Sequence, residues 1–173
     1  REELLTEEDP SSFAAAVAAQ GLECVYSSPL ELWQAGQTRP NPLLLATLHK
    51  AHAFGAAWLK VSLGYYTEQC DLHTLAACLK QQPVNLLVEN DQTSQGGRIE
   101  PLQRFFDAVD QRQAPISMTF DIGNWQWQDQ SASTAARLLG RHVTYLHCKG
   151  VARRPDGKLI ATPPTATDLQ MWE

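Results

Sequence analysis

Short apolar runs alternate with amphipathic segments along almost the whole chain. Each run has the composition of a strand, and each segment between two runs repeats its apolar residues at helical spacing. Strands that are apolar throughout are buried on both faces, as in a parallel sheet covered by helices. The sequence therefore predicts an α/β fold, with strands at residues 22–27, 58–63, 84–89, 116–121 and 143–147. A first helix begins at Thr6 or at Asp9-Pro10 and ends at residue 20, and further helices are expected at residues 40–53, 72–81, 101–111 and 131–139.

Two architectures contain a parallel sheet of this kind. A doubly wound sheet usually has a Gly-rich phosphate-binding turn after its first strand, and this sequence has none. Polar groups at the ends of several consecutive strands favour a barrel instead. Five strands cannot close an eight-stranded (β/α)8 TIM barrel. We therefore expect an incomplete barrel or an open variant, organised as a single domain over residues 1–173.

Composition and charge argue against several classes of function. Hydrophobic residues make up 43% of the 173 residues and charged residues 19%, which is typical of a soluble globular protein. Apolar runs are far shorter than the ~20 residues of a membrane span. The net charge is −5, and basic residues adjoin only at Arg153-Arg154, which argues against a nucleic-acid partner. The four cysteines form no C-x-x-C pair, so we expect free thiols and a cytoplasmic protein.

Three of the predicted strands end in a side chain that can bind a hard metal ion. These residues, the strand-end triad, are Glu89, Asp121 and His147, with spacings of 121 − 89 = 32 and 147 − 121 = 26 residues. Each spacing is about one βα unit, so the three strands are neighbours, and active sites of parallel α/β proteins lie at such strand ends. A single acid after a strand is usually a loop or cap residue. Three ligand types at matching positions favour a site for Mn²⁺, Mg²⁺ or Co²⁺, with Zn²⁺ also compatible.

The segments around the triad carry a resemblance to a known family. They read Leu-Leu-Val-Glu-Asn at 86–90, Phe-Asp-Ile-Gly-Asn at 120–124 and Leu-His-Cys-Lys at 146–149. They resemble the sugar phosphate isomerase/epimerase family, the xylose-isomerase-like TIM barrels that include tagatose/psicose epimerases, hydroxypyruvate isomerase and inosose dehydratase. The resemblance implies that the triad holds a divalent metal together with a second Glu on the eighth strand, beyond Glu173. It also implies that two strands precede this segment, with Arg1-Glu2 as the tail of the second.

The resemblance further implies a reaction. Moving a proton between adjacent carbons of a keto sugar passes through an enediolate, which a divalent metal stabilises. A carboxylate at the metal is the general base, and a second carboxylate returns the proton. Glu89 would be the base and the absent Glu its partner. Arg153, six residues past His147, matches an arginine beside the substrate, and Asn124 stands where many relatives have His and can hydrogen-bond a substrate hydroxyl.

Other residues are candidates for contact with the substrate. Lys60 lies inside an apolar strand, where an ammonium needs a partner, and it either points into the barrel toward the substrate or has a structural role. Trp33, Trp125 and Trp127 fall in predicted loops after strands, where they would stack on a sugar or pack in a lid or dimer contact. We expect residues 151–165 to form a long polar loop, with Asp168 capping a last helix.

The sequence thus predicts a metal-dependent isomerase or epimerase of a sugar, keto-sugar or sugar phosphate, with no membrane partner. Relatives that form dimers or tetramers imply a homo-oligomer. One alternative is an inosose-type dehydratase, which needs the same metal and a similar enolate. Another is an endonuclease-IV-like phosphodiesterase, which would need more histidines than the five present and a basic face. The third is a barrel without catalysis.

Overall fold

The computed structural model describes residues 9–169, which form a parallel sheet with helices between its strands. The strand order is β1-β2-β3-β4-β5, and all neighbouring strands are parallel. All five expected strands are present, at Cys24–Trp33 (β1), Ala56–Gly64 (β2), Asn85–Glu89 (β3), Ile116–Asp121 (β4) and Val143–His147 (β5). The expectation for Arg1-Glu2 lies outside the described residues.

The five expected helices are also present. They span Pro10–Ala19 (α1), Leu44–Ala53 (α2), Leu72–Leu79 (α3), Ile99–Arg112 (α4) and Ala132–Leu139 (α5). The side chains of Asp9, Asp71 and Ser131 accept hydrogen bonds from backbone N–H groups and so cap α1, α3 and α5. The helix α2 begins later than expected because Asn41 Oδ1 accepts the Leu43 N–H and holds a turn there.

The core lies between the sheet and the helices. On α4 the apolar residues Leu102, Phe105, Phe106 and Val109 recur at helical spacing, and all four are buried. Most side chains of the central strands are buried, whereas residues 144–146 of β5 are exposed. Among residues 9–169, β1 and β5 each have a neighbouring strand on one side only. Five parallel strands alternating with helices are therefore an incomplete (β/α)8 barrel.

The first strand is longer than the sequence predicted. It continues past Ser27 to Trp33, with an irregularity in its pairing with β2 between Ser27 and Glu31. Pro29 lies inside it, which an edge strand tolerates because no ladder hydrogen bond is needed there. The expectation that Trp33 lies in a loop is therefore wrong, since this side chain is fully buried at the end of β1.

The expected polar loop at residues 151–165 is also wrong. Gly150–Arg153 (β6) and Leu159–Thr162 (β7) form an antiparallel hairpin. A last helix, Ala166–Leu169 (α6), follows. Asp168 lies inside α6, where its carboxylate accepts hydrogen bonds from the Thr165 backbone and hydroxyl, while the Thr165 hydroxyl accepts the Asp168 N–H. Thr165 is thus the N-cap, and Asp168 completes a capping box.

Two further expectations concern the chain as a whole. Across residues 9–169, every helix is too short or too polar to cross a bilayer. The cysteines Cys24, Cys70, Cys78 and Cys148 are all free. The cytoplasmic location and the single-domain organisation of residues 1–173 stay predictions.

Candidate metal centre

The sheet brings the strand-end triad together. Glu89, Asp121 and His147 are the last residues of β3, β4 and β5, and Asp121 lies directly opposite His147 in the register of β4 and β5. Alternate residues of a strand point to the same face, so strand ends in register deliver their side chains to one surface. One ligand atom of each triad residue lies within 4.8 Å of those of the other two.

His147 connects the two carboxylates of the triad. Its Nδ1 lies 3.0 Å from Glu89 Oε1 and 3.0 Å from Asp121 Oδ2. The contacts with Asp121 and Glu89 raise the pKa of His147 to about 9. Burial acts to raise the pKa of Asp121, but His147 and Lys149 outweigh this effect, so its pKa lies below the usual value. An imidazolium between the two carboxylates offsets one of their two negative charges, and the ammonium groups of Lys60 and Lys149 lie beside the same carboxylates.

The donor set fits a divalent cation. Two carboxylates and one imidazole are ligands that Mn²⁺, Mg²⁺, Co²⁺ and Zn²⁺ accept. The Oδ2 atom of Asp121 is buried and accepts no hydrogen bond of good geometry from any residue in 9–169, although His147 Nδ1 and Lys149 Nζ are 3.0 and 3.1 Å away. By contrast, Asp121 Oδ1 accepts the backbone N–H groups of Gly123 and Asn124, both at 3.0 Å. Oδ1 therefore holds the carboxylate in place, and Oδ2 is the oxygen available to a metal.

Lys60 lies beside the triad. It is buried on β2, and its Nζ donates a hydrogen bond to Glu89 Oε1 at 2.9 Å. The ammonium thus has the partner that a buried lysine requires, and it also lines the cleft above the sheet. Its contact with a substrate stays a prediction.

Two buried asparagines hold the backbone of the site. Asn90 is fully buried; its Oδ1 accepts the Asp121 N–H at 2.8 Å, and its Nδ2 donates to the Asp121 carbonyl at 2.9 Å. Asn124 Nδ2 donates to the Asn90 carbonyl at 2.7 Å, and its Oδ1 accepts from Gln92 Nε2 at 3.2 Å. Asn124 lies at the cleft, as expected, with its amide already bonded to protein groups. Its role as a substrate ligand stays a prediction.

Lys149 is a member of the site that the sequence interpretation missed. Its Nζ contacts Asp121 Oδ2 at 3.1 Å, donates to Asn124 Oδ1 and lies 5.4 Å from the centre of the Trp127 ring. Strand alternation did not indicate it, because Lys149 stands two residues past the end of β5.

Arg153 is not brought to the cleft. It lies on the exposed hairpin, where its guanidinium donates to the Gly157 carbonyl at 2.7 Å, and it is not among the residues that line the cleft. Its contact with a substrate stays a prediction. Trp125 is fully buried and packs against Phe120, so it does not face the cleft either.

An open cleft of about 600 Å³ lies over the triad. It is lined mainly by polar side chains from the ends of all five parallel strands and from the segments after β3, β4 and β5. A polar floor with both acids and bases suits a small hydroxylated molecule. The lining residues are Ser27, Pro29, Glu31, Lys60, Ser62, Glu89, Asp91, Gln92, Thr93, Asp121, Asn124, His147 and Lys149.

The fold and the site define an incomplete β/α barrel with a metal-type ligand cluster at its strand ends. No protein-family model and no curated protein matches the sequence. Solved structures do match. A xylose isomerase-like TIM barrel/4-hydroxyphenylpyruvate dioxygenase fusion protein superposes with a TM-score of 0.63 at 11% identity, over 87% of this chain and 26% of that one. The chain thus has the xylose isomerase-like TIM-barrel fold, and the resemblance seen in the sequence is confirmed at this level.

Two further similar structures are enzymes. The probable 3-DHS dehydratase AsbF of Bacillus anthracis gives a TM-score of 0.62 at 12% identity, over 89% of this chain and 60% of that one. The 3-keto-D-glucoside 4-epimerase YcjR of E. coli gives 0.55 at 10% identity, over 80% and 66%. The chain therefore spans about a quarter of the fusion protein and less than two thirds of each enzyme.

Proposed function

We propose that this chain carries the site of a metal-dependent isomerase or epimerase that acts on a sugar, keto-sugar or sugar phosphate. The observation that supports this most strongly is the strand-end triad, whose ligand atoms lie within 4.8 Å of one another under an open polar cleft. Similarity of the fold to a probable 3-DHS dehydratase and to a 3-keto-D-glucoside 4-epimerase is consistent with it.

In this proposal the triad holds the metal. Glu89, Asp121 and His147 each contribute one ligand atom, and Asn90 keeps Asp121 in position through two hydrogen bonds to its backbone. The bound metal would supply positive charge next to the oxygens of an enediolate. A metal would bind the neutral imidazole of His147, so its binding would displace the proton of that ring.

Glu89 is the proposed base. Its carboxylate lines the cleft, where it can take a proton from the carbon next to a substrate carbonyl. Lys60 donates to the same carboxylate oxygen, Oε1, that His147 contacts, so Lys60 fixes the direction of the Glu89 side chain. Lys60 and Asn124 also line the cleft, where they would donate hydrogen bonds to substrate oxygens.

A dehydratase is the second candidate. It is favoured by the two ammonium groups in the cleft, Lys60 and Lys149, because loss of a hydroxyl after enolate formation needs a proton donor beside the leaving oxygen. The similarity of the fold to a probable 3-DHS dehydratase supports the same choice. Both candidates use Glu89 as the base and differ only in the fate of the enolate.

Turnover assays separate the two candidates. The protein is incubated with Mn²⁺ and a panel of keto-sugars, keto-sugar phosphates and inososes, and products are identified by NMR. An isomerase or epimerase yields isomers of the same mass, whereas a dehydratase yields products that have lost water. Glu89→Gln should abolish either activity, and Glu68→Gln, at an exposed acid outside the cleft, should not. No turnover of the panel by the wild type would contradict both candidates.

A further inference from the structure

One acid in the cleft has no role in the proposed site. Glu31 lies on β1, in the part of the strand that the sequence did not predict, and it lines the cleft together with the strand-end triad. In the register of the sheet, Glu31 lies opposite Ser62, and Ser62 lies opposite Glu89. Residues in register on neighbouring strands point to the same face of a sheet. Glu31 therefore shares the face that carries the proposed metal ligands.

The backbone at Glu31 is anchored, whereas its carboxylate is not. The buried Asn41 donates from Nδ2 to the Glu31 carbonyl at 2.8 Å and from its N–H to the Leu32 carbonyl at 2.9 Å. Among residues 9–169, the Glu31 carboxylate forms neither an ion pair nor a hydrogen bond. The half-buried side chain thus places an uncompensated negative charge at a fixed point of the cleft.

The cations of the cleft are already paired with other groups. Lys60 Nζ lies 2.9 Å from Glu89 Oε1, and Lys149 Nζ lies 3.1 Å from Asp121 Oδ2. None of the described arginines is among the residues that line the cleft. No positive side chain of the described lining is therefore left to neutralise Glu31 or a second anion beside it.

The backbone beside the cleft is also occupied at two turns where an anion could bind. Proteins commonly hold phosphate groups through free backbone N–H groups and through arginines. After β3 the Thr93 N–H donates to Asp91 Oδ1 at 2.7 Å, and after β4 the Gly123 N–H donates to Asp121 Oδ1 at 3.0 Å. Carboxylates of the chain itself thus accept the hydrogen bonds that a phosphate would need there.

We propose that Glu31 makes this site selective for an unphosphorylated sugar and excludes sugar phosphates. This deepens the proposed function and rests on it. Four carboxylates and two ammonium groups line the cleft, so a divalent metal on the triad, with neutral His147, would balance their formal charges. A neutral sugar keeps that balance, and its hydroxyl groups can donate to the Glu31 carboxylate. A phosphate ester brings about two further negative charges at pH 7, which Glu31 repels.

Binding of a sugar alcohol and of its phosphate ester tests this selection without turnover. D-Glucitol and D-glucitol 6-phosphate carry no carbonyl group, so no enediolate can form from them. Their dissociation constants are measured by isothermal titration calorimetry with wild type, Glu31→Gln, Glu31→Asp and the control Glu68→Gln, all in the same Mn²⁺ buffer at pH 7.5. Glu68 is an exposed acid outside the cleft, so its variant has the same net charge as Glu31→Gln.

We expect wild type to bind D-glucitol more tightly than its phosphate ester. Glu31→Gln should tighten binding of the ester about tenfold, because a like-charge contact is removed. Its amide oxygen still accepts a hydrogen bond, so D-glucitol binding should change by less than about threefold. Glu31→Asp and Glu68→Gln should keep the preference of wild type. In about 0.5 M KCl the difference between Glu31→Gln and wild type should shrink, because salt screens the repulsion.

Several outcomes would overturn the inference. These are tighter binding of the ester than of D-glucitol by wild type, no measurable binding of D-glucitol, and an unchanged affinity of Glu31→Gln for the ester. Equal tightening in Glu31→Gln and Glu68→Gln would also overturn it, because the effect would then follow the net charge of the protein.

Turnover of D-fructose and D-fructose 6-phosphate by wild type tests the proposed function separately. Faster turnover of the phosphate would overturn the selectivity alone and leave the proposed function standing. If neither is turned over while the preference for D-glucitol persists, the proposed function is contradicted and the charge selection by Glu31 is not.

Discussion

Replacing Lys60 by methionine removes the ammonium that is paired with Glu89 in the cleft. The two side chains are 11% and 18% exposed, and Lys60 Nζ lies 2.9 Å from Glu89 Oε1. Methionine fills a similar volume and carries no charge, so the substitution leaves Glu89 with His147 as its remaining partner. The free energy of unfolding of the metal-free protein should fall.

The size of the effect follows from the distance. At 2.9 Å and an effective dielectric constant of about 20, the attraction is 332/(20 × 2.9), or about 6 kcal/mol. Removing two ions from water offsets several kcal/mol of this, and the partial exposure of both groups screens the pair further. Because His147 still contacts Glu89, we expect Lys60→Met to lower the free energy of unfolding by about 2 kcal/mol.

A double-mutant cycle measures the pair directly. Urea unfolding in EDTA at pH 7 is compared for wild type, Lys60→Met, Glu89→Gln and the double variant, and the double variant should be about 2 kcal/mol more stable than the sum of the single losses predicts. The exposed pair Arg104–Glu100, with an Nη1–Oε1 distance of 3.2 Å, is the control and should couple by at most about 0.5 kcal/mol. Additivity within about 0.5 kcal/mol at Lys60 and Glu89 would refute the reasoning.

Three further substitutions test the surroundings of the site. The pKa of His147 is raised to about 9, so its protonated ring stabilises the metal-free fold fully below pH 6.5 and no longer above pH 9. Because the side chain is 44% exposed, His147→Gln should lower the free energy of unfolding by only about 1–2 kcal/mol at pH 6, and by little at pH 9.5, in urea unfolding. An equal loss at both pH values would contradict this. Asn90→Ala should lower the free energy of unfolding by about 3 kcal/mol and weaken Mn²⁺ binding, because the Asp121 N–H and carbonyl lose their hydrogen-bond partner. A loss below about 1 kcal/mol would show that water replaces the Asn90 amide. Gly64→Ala should lower the free energy of unfolding by about 2–3 kcal/mol, because φ is +68° and the new Cβ would overlap the Trp33 carbonyl. The control Gly157→Ala also has a positive φ but open space around it, so it should cost only about 1 kcal/mol. Equal losses in the two variants would rule out the close approach at Gly64.

Much of the sheet could be predicted because its strands are buried on both faces. The runs that end at Glu89, Asp121 and His147 are short, apolar and followed by turn signals, and each ends where the sequence placed it. The proximity of the three side chains followed from the topology, since parallel neighbouring strands present their carboxyl ends at one edge. These positions need no knowledge of side-chain packing.

The parts that were missed depend on local pairing. The extension of β1 contains Pro29 and Glu31, which a composition rule assigns to a loop, and only pairing with β2 makes this segment a strand. The strands β6 and β7 have four residues each, which is too short for an alternating hydrophobic pattern to stand out. Its turn, Pro155-Asp156-Gly157, is a hairpin signal that the sequence did offer.

The site residues that end a strand could be predicted from the sequence. Those whose position depends on the register of neighbouring strands or on the turn after a strand were missed. Lys60 was recognised as unusual, but its pairing with Glu89 needed the register of β2 and β3. Glu31 was missed because its strand was cut short, and Lys149 because it follows the end of β5. Arg153 was placed by its distance from His147 along the chain, whereas the hairpin turns it toward Gly157.

Binding of Mn²⁺ to the purified protein tests the central claim most directly. Equilibrium titration followed by electron paramagnetic resonance is carried out on wild type, Glu89→Gln, His147→Ala and the control His49→Ala, which removes an exposed histidine on α2. We expect wild type and His49→Ala to bind one Mn²⁺ per chain with equal affinity, and the two triad variants to bind at least roughly tenfold more weakly. Unchanged Mn²⁺ binding in both Glu89→Gln and His147→Ala would show that the strand-end triad is not a metal site.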